Sequence, residues 1–135
     1  MTIRHTSHAR NDLWYHLAWS TKYRKAVFVN PETRTEIAAL LREVAGAYDM
    51  EIGEITVQSD HVHLSLSAPP RIAPARAAQI LKSVSTKLLF QRYPWLRQHY
   101  WGGEIWVAGY FVRSAGPGLT KEDVERYITE QAAES

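Results

Sequence analysis

Apolar residues along this chain follow two rhythms, one of period two and one near 3.6, and the switches between them mark out the elements. Residues 12–20, DLWYHLAWS, are aromatic-rich and alternate loosely, which predicts a strand. Asn30 before Pro31 is a helix start, an N-cap followed by proline at the first helical position. Ile37, Leu40, Leu41, Val44 and Tyr48 then recur at helical spacing. MEIGEITVQ (50–58) and HVHLSLSA (61–68) read as a second and third strand joined by a short turn at Ser59–Asp60. Pro69 and Pro70 end the third strand, and Ala77, Ile80, Leu81, Val84 and Leu88 mark a long second helix that stops before Pro94. EIWVAGYFV (104–112) reads as a fourth strand, SAGPG (114–118) as a hinge, and residues 120–133 as a short terminal helix. Residues 1–10 carry no such rhythm and read as a flexible arm.

Strand, helix, strand, strand, helix, strand is the split βαβ pattern of the ferredoxin-like fold. It predicts an α+β domain, an antiparallel four-stranded sheet with both long helices on one face, plus the terminal helix. A length of 135 residues suits one such domain, 1–135. The helices cover one face of the sheet, so the other is where a site can form.

Composition narrows the chemistry. The chain has no cysteine, which removes disulfides, thiolate zinc sites and a cysteine nucleophile, and fits a reducing cytoplasm. The opening MTIRHTSHAR lacks the apolar core of a secretory signal, and no apolar run reaches membrane-spanning length, so a cytoplasmic protein without membrane contacts is expected. The net charge of +2 says little about partners, but its distribution says more. Lys22, Arg24 and Lys25 bracket Tyr23, and Arg71, Arg76, Lys82, Lys87, Arg92 and Arg97 are spaced along a later segment. Cations interleaved with rings suit single-stranded nucleic acid, the charges meeting phosphates and the rings meeting bases. Solvated helix faces produce the same pattern.

The third strand carries the sharper feature. Side chains alternate, so His61, His63, Ser65 and Ser67 share one face while Val62, Leu64, Leu66 and Ala68 share the other. Two imidazoles at i and i+2, roughly 6 to 7 Å apart along the backbone, can converge on one divalent ion. Alone, the motif is better explained as two polar residues on a wet face. A third ligand would reverse that. In the terminal helix, Val124, Tyr127, Ile128 and Gln131 fall on one side, and Gln131 stands where packing would favour Leu or Ala. Tyr127 and Gln131 are i and i+4 neighbours, a phenol beside an amide that can ligate a metal. An ordinary amphipathic helix explains the stripe as well.

Taken in order, YHLAWSTKYRK (15–25), SDHVHLSLSAPP (59–70), LKSVSTKLLFQRYP (81–94), WGGEIW (101–106), GYFVRSAG (109–116) and ERYITEQ (125–131) resemble the TnpA-type, single-tyrosine HUH transposases of small bacterial insertion sequences. The resemblance implies that His61 and His63 are the histidines of the HUH motif, that Gln131 is the third ligand of Mg²⁺ or Mn²⁺, and that Tyr127 is the nucleophile. It further implies a homodimer that cleaves and rejoins single-stranded DNA with hairpin ends through a 5′-phosphotyrosine, without a nucleotide cofactor. Lys22, Tyr23, Arg24 and Lys25 become candidate DNA contacts, with Lys82 and Lys87 behind them. The chain departs from the family pattern at Gly109, where serine is usual, and at Ser114-Ala115, where the hinge usually reads Thr-Val; Pro117 adds stiffness there. A domesticated relative that nicks and joins hairpin DNA, a non-catalytic single-strand-binding module and a small metal-dependent hydrolase are the alternatives.

Overall fold

Alternation in HVHLSLS becomes a strand with two unlike faces, and the rest of the fold is arranged around it. The computed structural model describes residues 5–6, 9–10, 14–114 and 126–130. The elements are β1 (His5–Thr6), β2 (Ala9–Arg10), β3 (Tyr15–Ser20), α1 (Pro31–Ala47), β4 (Glu51–Val57), β5 (His61–Ser67), α2 (Pro74–Arg92) and β6 (Phe111–Ser114). Three-residue and five-residue 3-10 turns occupy Lys22–Arg24 and Pro94–Gln98. Residues 126–130 are helical.

The main sheet runs β4-β5-β3-β6 and every neighbouring pair is antiparallel. Strand β3 therefore sits between β5 and β6, the split βαβ arrangement that the element order predicts. Leu17 and Trp19 from β3 and Val62, Leu64 and Leu66 from β5 are buried in one cluster with Ile37, Leu41 and Val44 of α1 and Leu81 and Leu89 of α2. Both long helices thus cover the face opposite the histidines. The cap expected at Asn30 is present: its Oδ1 accepts from the Glu32 N–H at 2.8 Å, and Pro31 begins the helix.

The fourth strand differs from expectation. Only Phe111–Ser114 pair with β3, rather than 104–112. Ile105, Trp106 and Val107 are buried, but as irregular chain joined to the end of β3 by the Thr21–Trp106 bridge. The Lys82 ammonium donates to the Val107 and Gly109 carbonyls at 2.7 and 2.6 Å, and Gly109 turns the chain at a φ of 89°. That stretch is apolar because it is buried, and burial without a ladder reads like a strand. Within the expected arm, His5 pairs with Arg10 and Thr6 with Ala9. Ser114 closes β6; residues 115–118 of the hinge, and most of 120–133, lie outside the described residues.

Candidate active site

Register places one transverse row on the face that α1 and α2 leave open. Thr56 of β4 is across from His63, His63 is across from Ala18, and Ala18 is across from Phe111 of β6. His61 lies one step along β5, opposite Ser20.

His61 is held from behind. Its Nδ1 is 2.9 Å from Asp60 Oδ1, while Arg24 Nε donates to Asp60 Oδ2, also at 2.9 Å. Burial alone would raise the Asp60 carboxyl, but hydrogen bonds from His61 and Arg24 outweigh it and hold the group below the usual carboxylate value. An ionised carboxylate only accepts, so the imidazole donates from Nδ1; in the neutral ring this leaves Nε2 as the nitrogen with the lone pair.

His63 is half-buried, and its Nε2 is fully enclosed with no hydrogen-bond partner among the described residues. A buried polar atom left unpaired costs about 1 to 3 kcal/mol. Burial foremost, then the neighbouring His16 and His61, lowers the His63 pKa from 6.5, with Glu54 opposing, so the ring is neutral and able to ligate. The His16 ring lies 5.8 Å from that of His63, adding a third imidazole to the face. An orphaned nitrogen beside a second imidazole of fixed tautomer fits a divalent cation. The described residues include no group of three or more His, Cys, Asp or Glu able to hold a metal, so two imidazoles need a complement. Gln131 lies outside the described residues.

The terminal segment docks on this same face. Ile128 and Ala18 are both fully buried and pack together, with Phe111 and Tyr127 at their margin. The Tyr127 and Phe111 rings are 5.3 Å apart at 50°. Strands are spaced about 4.8 Å, so Phe111 is two strands, or roughly 10 Å, from His63. Alanine at 18, flanked on this face by His16 and Ser20, leaves room for a helix to approach the sheet closely.

The basic residues have varied surroundings. Lys22 pairs with Glu104 at 3.2 Å and Lys25 donates to the His99 carbonyl at 3.1 Å. Arg24 is engaged by Asp60, and Lys82 by its two carbonyls, where burial lowers its pKa to about 8 against the pull of Glu104. Lys87 is exposed. Tyr23 is 60% exposed at the tip of a turn with left-handed backbone, φ 61° at Tyr23 and 50° at Arg24. Sequence reasoning missed Asp60, His16 and Trp101. Asp60 read as a turn residue, His16 as one member of an aromatic strand, and Trp101 only as part of a motif. Trp101 is 89% exposed, the kind of ring on which a base can stack.

Residues 9–131 match the family model of the IS200-like transposases. The ISDra2 transposase TnpA of Deinococcus radiodurans is 35% identical over 119 residues, spanning 88% of this chain and 84% of the relative. The transposase for insertion sequence element IS200 of Salmonella typhimurium is 29% identical over 128 residues, 95% of this chain and 82% of the relative. The crystal structure of a protein from Deinococcus radiodurans, assigned there to the transposases, superposes with a TM-score of 0.82 at 32% identity, covering 96% of this chain and 98% of the other. A REP-associated tyrosine transposase bound to a REP hairpin shares the fold at a TM-score of 0.53 and 12% identity, covering 94% of this chain and 68% of the other. A four-stranded antiparallel sheet, a histidine-bearing open face and a family match that runs nearly end to end agree: the chain belongs to the IS200-like transposases.

Proposed function

We propose that this transposase cleaves and rejoins single-stranded DNA at insertion-sequence ends, with Tyr127 as nucleophile and His61, His63 and Gln131 as ligands of Mg²⁺ or Mn²⁺. The observation that carries this reading is the docking of Ile128 onto Ala18, which brings the tyrosine-bearing segment to the face where a His63 nitrogen has no partner among the described residues.

When bound, the ion polarises and orients the scissile phosphate. Tyr127 Oη attacks phosphorus, forming a 5′-phosphotyrosine bond as the bond to the 3′ oxygen breaks; that oxygen takes up a proton and leaves as a 3′-hydroxyl. A second 3′-hydroxyl attacks the phosphotyrosine, restores the phosphodiester and returns the phenol. One covalent bond is exchanged for another, so no nucleotide cofactor is needed. Tyrosine ionises near pH 10 in water, so the phenol must lose its proton as it attacks.

DNA hairpins at the element ends are the proposed recognition partners, with exposed Tyr23 and Lys87 the most accessible of the predicted contacts. The hairpin bound by the REP-associated neighbour supports that choice of partner. The working form is taken as a cytoplasmic homodimer. Among the described residues no helix is long and apolar enough to cross a membrane.

Protein, Mn²⁺ and single-stranded hairpin ends are mixed and resolved on a denaturing gel. Wild type forms a covalent adduct, and Tyr127→Phe and His63→Ala do not. An absent wild-type adduct on all cognate ends, or an undiminished one with Tyr127→Phe, overturns the proposal.

A further inference from the structure

The Lys22–Arg24 turn reads in sequence as a DNA contact, yet the structure folds it back onto the histidine strand. The Thr21 N–H donates to the Asp60 carbonyl at 2.9 Å, and the Thr21 hydroxyl donates to the Lys25 carbonyl at 2.8 Å, closing the turn. The Phe28 N–H donates to the Ser59 carbonyl at 3.0 Å, so both ends of the turn are tied to the β4–β5 hairpin. Tyr23 and Arg24 adopt left-handed backbone, a conformation that costs non-glycine residues energy and persists only where surroundings impose it. Within that frame Arg24 Nε reaches Asp60 Oδ2, and Asp60 Oδ1 receives His61 Nδ1.

We propose that Arg24 and Asp60 are positioning residues that fix the tautomer and tilt of His61, so that the turn serves the metal centre from behind. The inference rests on the reading of His61 as a metal ligand. Neutral imidazole in water favours the proton on Nε2, the atom that must be bare to bind an ion here. Asp60 reverses that preference by accepting from Nδ1. Arg24 fixes Asp60 in turn, leaving one carboxylate oxygen aimed at the ring. Carboxylates behind metal-bound histidines characteristically govern affinity by about 10- to 100-fold.

Two readouts test this. Long-range ¹H–¹⁵N NMR of metal-free protein, at about pH 8 to 9 where ordinary histidines are neutral, reports which nitrogen of His61 carries the proton. Mn²⁺ titration followed by electron paramagnetic resonance reports affinity. Wild type is expected to show Nδ1–H. Asp60→Ala shifts the proton toward Nε2 and weakens Mn²⁺ by about 10- to 100-fold. Arg24→Ala weakens it less, and Arg24→Lys recovers part of that loss. Arg71→Ala removes a remote exposed pair with Asp49 and changes neither readout. If Asp60→Ala does not fold, Asp60→Asn takes its place and must lose affinity to a smaller degree.

Wild-type tautomer and affinity in the Asp60 variant overturn the relay while leaving the metal site standing. Wild-type protein that binds Mn²⁺ no better than His63→Ala removes the metal reading and the relay's purpose with it.

Discussion

Ile128 sits directly on Ala18, both fully buried, and Ala18 is the cross-strand partner of His63. One small side chain thus joins the docking of the terminal segment to the position of an imidazole. Deleting the Ile128 methyls should therefore undock the segment without unfolding the sheet. Ile128→Ala is expected to remove about 2 to 5 kcal/mol of local stability. Amide hydrogen exchange at 126–130 should accelerate while β3 and β5 stay protected. Equal acceleration in all three would show that the segment is part of the global core instead.

Acid should loosen the fold through the imidazoles. Burial is the main cause holding both His16 and His63 below their ordinary value of 6.5. The unfolded chain then binds protons that the folded chain refuses, so stability rises with pH across this window. It is complete above about pH 6.5, the unfolded value, and is lost progressively below it. Urea midpoints measured on either side of that value should fall on the acid side, and His63→Gln should flatten the profile. Saturating Mn²⁺ should steepen it, since ion and proton compete for one nitrogen.

A buried hydrogen bond in the core offers a cleaner stability test. Trp106 Nε1 donates to Ser85 Oγ at 2.9 Å, and both residues are buried. Ser85→Ala leaves the indole N–H without an acceptor, at an expected cost of about 1 to 3 kcal/mol. Thermal unfolding should register this as a lower midpoint, whereas Ser83→Ala on the exposed side of α2 should not.

Gly53 has little room for a side chain. A Cβ there would stand 2.7 Å from Ser65 Oγ and 3.2 Å from the Trp14 ring. Gly53→Ala is therefore expected to destabilise by about 1 to 3 kcal/mol. Adding Ser65→Ala should recover part of the loss in denaturant unfolding, because the closest clashing atom is gone.

The parts legible in the sequence were those whose cause is local. Asn30-Pro31 caps α1 by contacts two residues apart, and the two faces of β5 follow from strict alternation. Asp60 was opaque because the residue that gives it meaning, Arg24, lies 36 positions away. The same holds for residues 105–107, whose burial depends on Thr21 and Lys82, so their apolar character looked like a strand. His16 was hidden in a segment whose aromatics gave it a sufficient reading without chemistry. Tyr127 and the histidine pair stood out in the sequence only as candidates, and the face they share became visible with the ladder and the Ile128–Ala18 contact.

That ladder has one more consequence. Side chains on β5 alternate with a period of two, so a slip of a single residue against β3 would turn both imidazoles into the oily interior and set Val62 and Leu64 in water. No halfway arrangement exists. A copy assembled out of register therefore strips both imidazoles from the open face at once rather than by degrees.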